Sequence, residues 1–271
     1  MIRRTALMGL AFALALPAYS ATDPVPAPEV VEVPDLQGRE VLVVTENAYP
    51  PLQYLDKDGK AVGWEYDAMA EIAKRLNIKV TYQTTSWDAM IPAVAEGQYD
   101  LGMNGITIRE DRMEKVDFSE AYMHSEMRMI ARADEARFWD APSFAADSNL
   151  LMAAQAGTTP FYVGVYEVLD GNEENPRIIK FETFGAGLAA LKAGDVDLVL
   201  SDSTAATGYV EASEGALKII GEPLGSEEFG FIMAKDSELA EPINLAIKSM
   251  VADGTLATLN HRWFYEHKLS E

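Results

Sequence analysis

The sequence predicts an α/β protein with two similar lobes that are joined by two crossings of the chain. Short continuous apolar runs, typical of buried parallel strands, alternate with segments whose apolar residues recur at helical spacing. The same order of elements then occurs a second time, about a hundred residues later. The last helical segments can return to the first lobe, which gives the second crossing.

The first repeat has the order strand, helix, strand, helix, strand. The strand VLVVTEN is followed by a turn at Asp58 and Gly59 and by the helical pattern WEYDAMAEIAKRL. The next strand, IKVTYQTT, alternates apolar and polar side chains, and the helical segment WDAMIPAVAEG stops at Gly97. The segment YDLGMNG completes a βαβαβ unit.

The second repeat contains LLMAAQAG, TPFYVGVYEVL, RIIKFETF, GAGLAALKAG and DVDLVLSD in the same order. Its best internal match sets residues 93–105 against residues 190–202 and places Asp100 over Asp197. Since each repeat can form its own sheet with covering helices, two lobes are predicted.

The C-terminal segments DSELAEPINLAIKSMVADG and TLATLNHRWFYEHKL have apolar helical faces that can cover lobe 1. This return predicts crossings near residues 122–126 and near residues 220–223. We therefore expect lobe 1 to comprise residues 39–124 and 222–271, and lobe 2 to comprise residues 125–221.

The first 20 residues have the pattern of a cleavable secretory signal: two arginines, a short apolar run and small residues before a predicted cleavage after Ser20. The apolar run is too short for a membrane span, which needs about 20 residues. Residues 21–38 contain four prolines and four acidic residues, which predicts an extended leader. With no cysteine for a lipid anchor, we expect a protein exported to a Gram-negative periplasm.

The composition excludes several classes of function. The formal net charge of −21 argues against nucleic acid and anionic membranes as partners, because both need basic surfaces. The absence of cysteine excludes disulfides and thiolate metal sites, and the three histidines have no metal-binding spacing. We expect no metal, no cofactor and a monomer.

Polar residues follow four of the predicted strands, where each strand ends. These positions are Glu46, residues 104–107, residues 155–159, and residues 201–202. In open α/β sheets, ligands bind at the carboxyl ends of the strands. Each lobe contributes two such ends, so a ligand cleft between the lobes is predicted.

Several separated motifs together resemble the amino-acid-binding periplasmic receptors of ABC importers, solute-binding protein family 3. They are TENAYPPLQYLDKDGKAVGWEYDAMAEIAKRL, WDAMIPAVAEGQYDLGMNGITIREDRMEKVDFSEAY, QAGTT and LAALKAGDVDLVLSDS, and the resemblance covers about residues 39–267. It implies a two-lobed periplasmic-binding-protein fold of type II. It also implies a binding protein without catalytic residues, a free L-amino acid as ligand and an ABC importer permease as partner.

The resemblance also assigns the two charged ends of the ligand. Burying the carboxylate and ammonium of an amino acid costs several kcal/mol each unless both are paired. By similarity, Arg112 binds the carboxylate with help from Thr107. Asp202 accepts from the ammonium beside the Gly105 carbonyl. Thr159 is expected to cap a helix whose first N–H groups face the carboxylate.

The remaining site residues concern the ligand side chain. Tyr49 and Trp87 match aromatic positions that enclose the ligand's stem, and Glu46 matches an acid that reaches its side chain. Asn104 and Gln155 are expected to contact the same end. Because we find no second lysine or arginine at a site position, a polar or basic ligand is favoured over an acidic one.

Other interpretations of these residues remain open. Arg112 lies in a charged run that is typical of solvated surface, Asp202 can simply cap the next segment, and Trp87 and Tyr49 can be core residues. A different function is also compatible with the scaffold: an enzyme resembling the cyclohexadienyl dehydratases, with Glu46 as its general acid.

Overall fold

The computed structural model describes residues 30–267. The predicted signal peptide and the first part of the predicted leader lie outside the described residues. The last part of the leader contacts the fold directly, since the backbone N–H of Leu36 donates to the carbonyl of Leu76 at 2.8 Å. Within residues 30–267, no helix has the length and apolar character needed to cross a membrane.

The first lobe begins with a run of alternating strands and helices. The strands are β1 (Arg39–Thr45), β2 (Ala48–Tyr49), β3 (Gln53–Leu55), β4 (Ala61–Val62), β5 (Ile78–Thr84), β6 (Leu101–Gly102) and β7 (Asp117–Phe118). The helices are α1 (Trp64–Leu76), α2 (Trp87–Ala95) and α3 (Glu110–Met113). The helix predicted from WEYDAMAEIAKRL is confirmed as α1, which buries Met69, Ile72 and Leu76 on one face.

The second lobe contains the long strand β8 (Met123–Arg132) and the repeat of the first lobe's order. The other strands are β9 (Met152–Ala154), β10 (Ile178–Lys180), β11 (Leu198–Asp202), β12 (Leu217–Ile220) and β13 (Ser226–Phe229). The helices are α4 (Ala141–Ala146), α5 (Thr159–Val163) with a π-helical turn at Gly164–Val168, α6 (Phe184–Ala193) and α7 (Ser203–Ala212). β9 pairs in parallel with both β10 and β11, whereas β8 runs antiparallel to β11 and β12.

The chain then returns to the first lobe through β14 (Ile232–Met233), α8 (Ala240–Ala252), α9 (Thr255–His261) and a π-helical turn at Arg262–Glu266. The first sheet has the order β5-β1-β6-β14-β7, with β14 inserted between strands from the first half of the chain. Side chains of α8 and α9 pack in the same core as β1 and α1, so both helices cover the first sheet.

The internal repeat is visible in matched hydrogen bonds. The Asp100 carboxylate accepts the backbone N–H of Leu42 at 2.7 Å, and the Asp197 carboxylate accepts that of Leu151 at 2.9 Å. In each lobe, the acid just before one strand therefore accepts a backbone N–H from a neighbouring strand or from the residue just before it. The alignment of Asp100 with Asp197 is thus confirmed as a structural equivalence.

Two antiparallel segments join the lobes. The start of β8 pairs with β13, so that Met123–Glu126 faces Ser226–Phe229. The second crossing lies a few residues later than residues 220–223, where the sequence places it. The reason is that β12 still pairs with the end of β8 inside the second sheet.

Candidate ligand-binding cleft

A cleft lies between the two lobes and encloses about 650 Å³ between protein atoms, part of it open to solvent. Nine of the ten residues singled out in the sequence line it: Glu46, Tyr49, Trp87, Asn104, Gly105, Thr107, Arg112, Gln155 and Thr159. The tenth, Asp202, is not part of the lining. The walls also include Phe184, Glu227 and Phe229, which the sequence motifs do not indicate.

Arg112 is the buried cation of the cleft, with only 4% of its surface exposed. Its guanidinium donates to the carbonyl of Thr107 at 3.0 Å and to that of Gly157 at 3.3 Å. It also lies 5.0 Å from the centre of the Trp87 ring. Among residues 30–267, no carboxylate oxygen lies within 4.0 Å of the guanidinium nitrogens, so Arg112 forms no ion pair there. Burial, and to a lesser degree the charge of Arg109, lowers the pKa of Arg112 to about 9.

A second polar corner surrounds Glu46, just past the end of β1. Gln155 of the other lobe donates to Glu46 Oε1 at 2.9 Å, and Asn104 donates to Oε2 at 3.4 Å. Burial raises the pKa of Glu46, against the lowering effect of both hydrogen bonds. The corner therefore holds a partly desolvated carboxyl with oxygens directed at the interlobe space.

Aromatic side chains contribute much of the apolar lining. Tyr49 meets Phe184 of the second lobe edge to face, with ring centres 5.2 Å apart. Gly105 approaches the Tyr49 ring closely, since a Cβ on Gly105 would lie 3.4 Å from ring atoms and 2.8 Å from Leu52 Cδ1. This contact and its φ of +58° explain why glycine occupies the position.

Asp202 lies at the end of β11 and is the N-cap of α7. Its side chain is 1% exposed and caps α7, with Oδ1 accepting from the backbone N–H groups of Thr204 at 2.8 Å and Ala205 at 3.2 Å. The Ser125 hydroxyl also donates to Oδ1 at 3.2 Å, and the Tyr49 hydroxyl donates to Oδ2 at 2.5 Å. The capping role left open in the sequence is therefore present.

The helix after β9 begins one residue earlier than predicted. Thr158 is its N-cap, since the Thr158 hydroxyl accepts from the backbone N–H of Phe161 at 3.2 Å. Thr159 is thereby free to reach across the cleft, where its hydroxyl donates to Thr107 Oγ1 at 2.7 Å and accepts from Arg109 at 3.3 Å. These bonds tie the second lobe to the first beside Arg112.

Glu227 is an acidic side chain of the cleft that no sequence motif indicates. It lies on β13, where residues alternate between buried and exposed, so that Glu227 and Phe229 share the face that lines the cleft. Glu227 Oε2 accepts from the Thr107 hydroxyl at 2.7 Å. The sequence SEEF has no alternation of apolar and polar residues, so it gives no signal that Glu227 is buried.

The described residues do not suggest a metal centre in the cleft. In the range 30–267, no cluster of three or more His, Asp or Glu side chains has an arrangement suited to a metal ion. The polar groups of the cleft instead offer one guanidinium and two carboxyls to a small ligand.

Comparison with known protein families identifies the class of protein. The model of the bacterial extracellular solute-binding proteins, family 3, matches residues 41–266, which is most of the chain. The chain belongs to this family. The resemblance stated from the sequence motifs is therefore confirmed.

Several proteins that are similar to this chain are named for the amino acids that they bind. The L-cystine-binding protein TcyA of Bacillus subtilis is 31% identical and covers 85% of this chain and 84% of its own length. The L-cystine-binding protein TcyJ of Escherichia coli K12 is 28% identical, over 83% of this chain and 82% of its own length. The structure of the arginine-, lysine-, histidine-binding protein ArtJ of Geobacillus stearothermophilus superposes with a TM-score of 0.77 at 26% identity, over 85% of this chain and 97% of its own. The predicted type II fold of this family 3 protein is thus confirmed.

Proposed function

We propose that the protein captures a free L-amino acid with a polar or basic side chain in the interlobe cleft and delivers it to an ABC importer permease. The observation that carries the proposal is the environment of Arg112. A guanidinium that is 4% exposed and donates hydrogen bonds only to carbonyls is a desolvated cation without an ion-pair partner among the described residues. A ligand carboxylate supplies that charge and the matching bidentate geometry.

The other end of the cleft suits a cationic or amide side chain. Glu46 offers carboxylate oxygens, and Asn104 and Gln155 hold it in place. Arg112 is the only lysine or arginine among the described lining residues. A second carboxylate on the ligand would therefore lack a partner, which disfavours aspartate and glutamate. The names of the relatives, which include cystine, arginine, lysine and histidine, support the same range of ligands.

Ligand binding is expected to favour the closed arrangement of the lobes. Several bonds already cross between them, including those from Tyr49 to Asp202 and from Gln155 to Glu46. A ligand held by both lobes adds contacts that exist only when the lobes are together, and so shifts the population toward closure. The closed form is then the form that a permease recognises.

Export to a periplasm and a monomeric state complete the proposal. The extracellular family and the N-terminal signal pattern support export. The acidic surface, with a formal net charge of −21, disfavours nucleic acid and anionic lipid as alternative partners.

A thermal unfolding screen tests the proposed function. The purified protein is heated with each of the twenty amino acids, L-cystine, polyamines and small organic acids. A ligand at a thousand times its dissociation constant should add about 4 kcal/mol to the free energy of unfolding. Stabilisation by polar or basic L-amino acids is expected. Stabilisation by polyamines or dicarboxylates alone, or by no compound, contradicts the proposal.

An enzyme on the same scaffold is the second candidate. Burial raises the pKa of both Glu46 and Glu227, and a carboxyl that holds its proton can act as a general acid. Incubation with prephenate or arogenate should give no aromatic product if the protein only binds. An aromatic product that requires Glu46 or Glu227 would favour a dehydratase instead.

A further inference from the structure

Arg109 connects the two lobes beside the cleft, although it is not part of the cleft lining. It belongs to the first lobe and lies just before α3, and its side chain reaches α5 of the second lobe. Its guanidinium donates to the Thr159 hydroxyl at 3.3 Å, and the guanidinium carbon lies 4.7 Å from the centre of the Tyr162 ring. A cation over the face of an aromatic ring is attracted to it. Both contacts are lost when the lobes separate.

Asp111 fixes the direction of the Arg109 side chain. The Asp111 carboxylate accepts from Arg109 Nε at 2.9 Å and from Nη2 at 2.7 Å, which is the bidentate geometry of a guanidinium and a carboxylate. Nη1 is then directed to Thr159. Because Asp111 belongs to the first lobe, this pairing does not depend on the second lobe. Arg109 therefore loses less side-chain entropy when it binds α5.

A directed chain of hydrogen bonds continues from Arg109 through Thr159. The Thr159 hydroxyl accepts from Arg109 and donates to Thr107 Oγ1 at 2.7 Å. The Thr107 hydroxyl in turn donates to Glu227 Oε2 at 2.7 Å. Thr159 of the second lobe is thus held between two side chains of the first lobe. Separation of the lobes breaks both of its bonds at once.

We propose that Arg109 is an interlobe latch that slows the release of the bound amino acid by holding α5 against the first lobe. The ligand's part in this proposal rests on the proposed function, whereas the contact between the lobes does not. Arg112 and Arg109 then have separate tasks, since Arg112 pairs with the ligand carboxylate and Arg109 binds the second lobe. Release requires the lobes to separate, so contacts that separation breaks raise the barrier to release.

The charge of Arg109 has a second effect, which differs from the latch. It acts on Arg112, whose pKa is lowered by burial and, to a lesser degree, by this charge. Removing Arg109 therefore changes the electrostatic field at the carboxylate site as well as the contact between the lobes. Replacing Tyr162 by leucine removes the aromatic partner of Arg109 and leaves every charge in place. The latch predicts that the two substitutions act through one contact.

Stopped-flow dissociation tests the latch through the release rate. The probes are L-arginine, L-histidine and L-cystine, and the signal is tryptophan fluorescence, since Trp87 lines the cleft. Tyr162→Leu should raise the dissociation rate constant about threefold, the range for a cation over a partly exposed ring. Arg109→Ala also loses the hydrogen bond to Thr159 and should raise it about tenfold. The association rate constant should change by less than about threefold, because the latch forms after the ligand enters.

The double variant decides whether both side chains act in one contact. Without Arg109, the Tyr162 ring has no cation to hold, so the double variant should release ligand about tenfold faster than the wild type, as Arg109→Ala alone does. An increase of about thirtyfold, the product of the single effects, would mean that the two side chains act independently and would overturn the latch.

Arg177→Ala is the matched control, because the Arg177 guanidinium lies 4.8 Å from the centre of the Phe144 ring within the second lobe. This variant loses a contact of the same kind that does not cross between the lobes. It should lower the melting temperature without changing the release rate. An equal acceleration of release in Arg177→Ala and Arg109→Ala would assign the effect to general destabilisation and overturn the latch.

The separation of the lobes can also be measured without a ligand. The chain has no cysteine, so Gln98→Cys and Asp195→Cys introduce one labelling site in each lobe, at exposed and equivalent positions of the internal repeat. Spin-label distances should show a smaller closed fraction in Arg109→Ala than in the protein with Arg109. Equal closed fractions would overturn the latch, whatever the protein binds. If the wild type binds none of the three probes, the proposed function fails, and this comparison of distances alone decides on the latch.

Discussion

Replacing Arg112 by lysine tests the carboxylate site while keeping the positive charge. The guanidinium has five N–H donors, of which two are used on the carbonyls of Thr107 and Gly157. Three remain for a ligand, enough for a bidentate pair. A lysine ammonium has three donors in all, so satisfying the same two carbonyls leaves one for the ligand.

The expected loss follows from this count. One charge-assisted hydrogen bond to the carboxylate disappears, which costs about 2 kcal/mol and corresponds to roughly a thirtyfold rise in dissociation constant. Isothermal titration with the ligand found in the unfolding screen measures this value. Arg75→Lys is a matched control, because Arg75 is a partly buried arginine paired with Glu71 and Asp253, outside the cleft. It should lower stability without changing affinity.

An affinity of Arg112→Lys within about twofold of the wild type would refute the reasoning. Such a result would mean that the ligand carboxylate is bound elsewhere and that the buried guanidinium has a purely structural role. Loss of binding in Arg75→Lys as well would show that general destabilisation, rather than the lost donor, explains the change.

Three further predictions concern the cleft and its support. Glu46→Gln should lower the affinity for ligands with a cationic side chain more than the affinity for ligands with an amide side chain, as measured by calorimetry. An equal loss of affinity for all ligands would mean that Glu46 does not contact the ligand side chain. Tyr49→Phe removes the hydroxyl that donates to Asp202 across the lobes and should weaken binding about tenfold; unchanged affinity would mean that this bond does not contribute to closure. Glu65 is fully buried, and burial raises its pKa from 4.5 to about 7, against the lowering effect of hydrogen bonds from Tyr122 and Gly105. Its folded state thus holds a proton more tightly than the unfolded chain, so its stabilising contribution is complete below pH 4.5 and is lost as pH rises through 7. The free energy of unfolding, measured with denaturant at pH 4 and at pH 8, should therefore fall between the two by about 3 kcal/mol less in Glu65→Gln than in the wild type. Identical pH profiles of the two proteins would contradict the titration of buried Glu65.

Much of the fold could be predicted from periodicity and repetition. The apolar runs of β1 and β11 and the helical spacing in α1 each reflect one buried face, and local sequence contains that information. The match of Asp100 with Asp197 was visible because the two lobes repeat the same hydrogen bond. The second crossing was placed too early because the end of lobe 2 depends on β12 pairing with β8, a long-range contact that no local pattern contains.

The candidate cleft was predictable at the strand ends and less so at the hinge. Nine of the ten residues named from the sequence line the cleft, since parallel strands bring their carboxyl ends to one edge. Asp202 also lies at the end of a strand, but its carboxylate accepts hydrogen bonds from the backbone of the next helix and from the Tyr49 hydroxyl. Glu227 could not be predicted because β13 is a short polar strand whose sequence is typical of solvated surface. Only the pairing of β13 with β8 turns the Glu227 side chain inward.

A crystal structure of the protein with the amino acid that stabilises it most is the most direct test of the account. We expect the ligand's carboxylate to receive two hydrogen bonds from the Arg112 guanidinium and its side chain to extend toward Glu46. A ligand bound in the cleft with its carboxylate away from Arg112, or bound outside the interlobe space, would contradict the central claim.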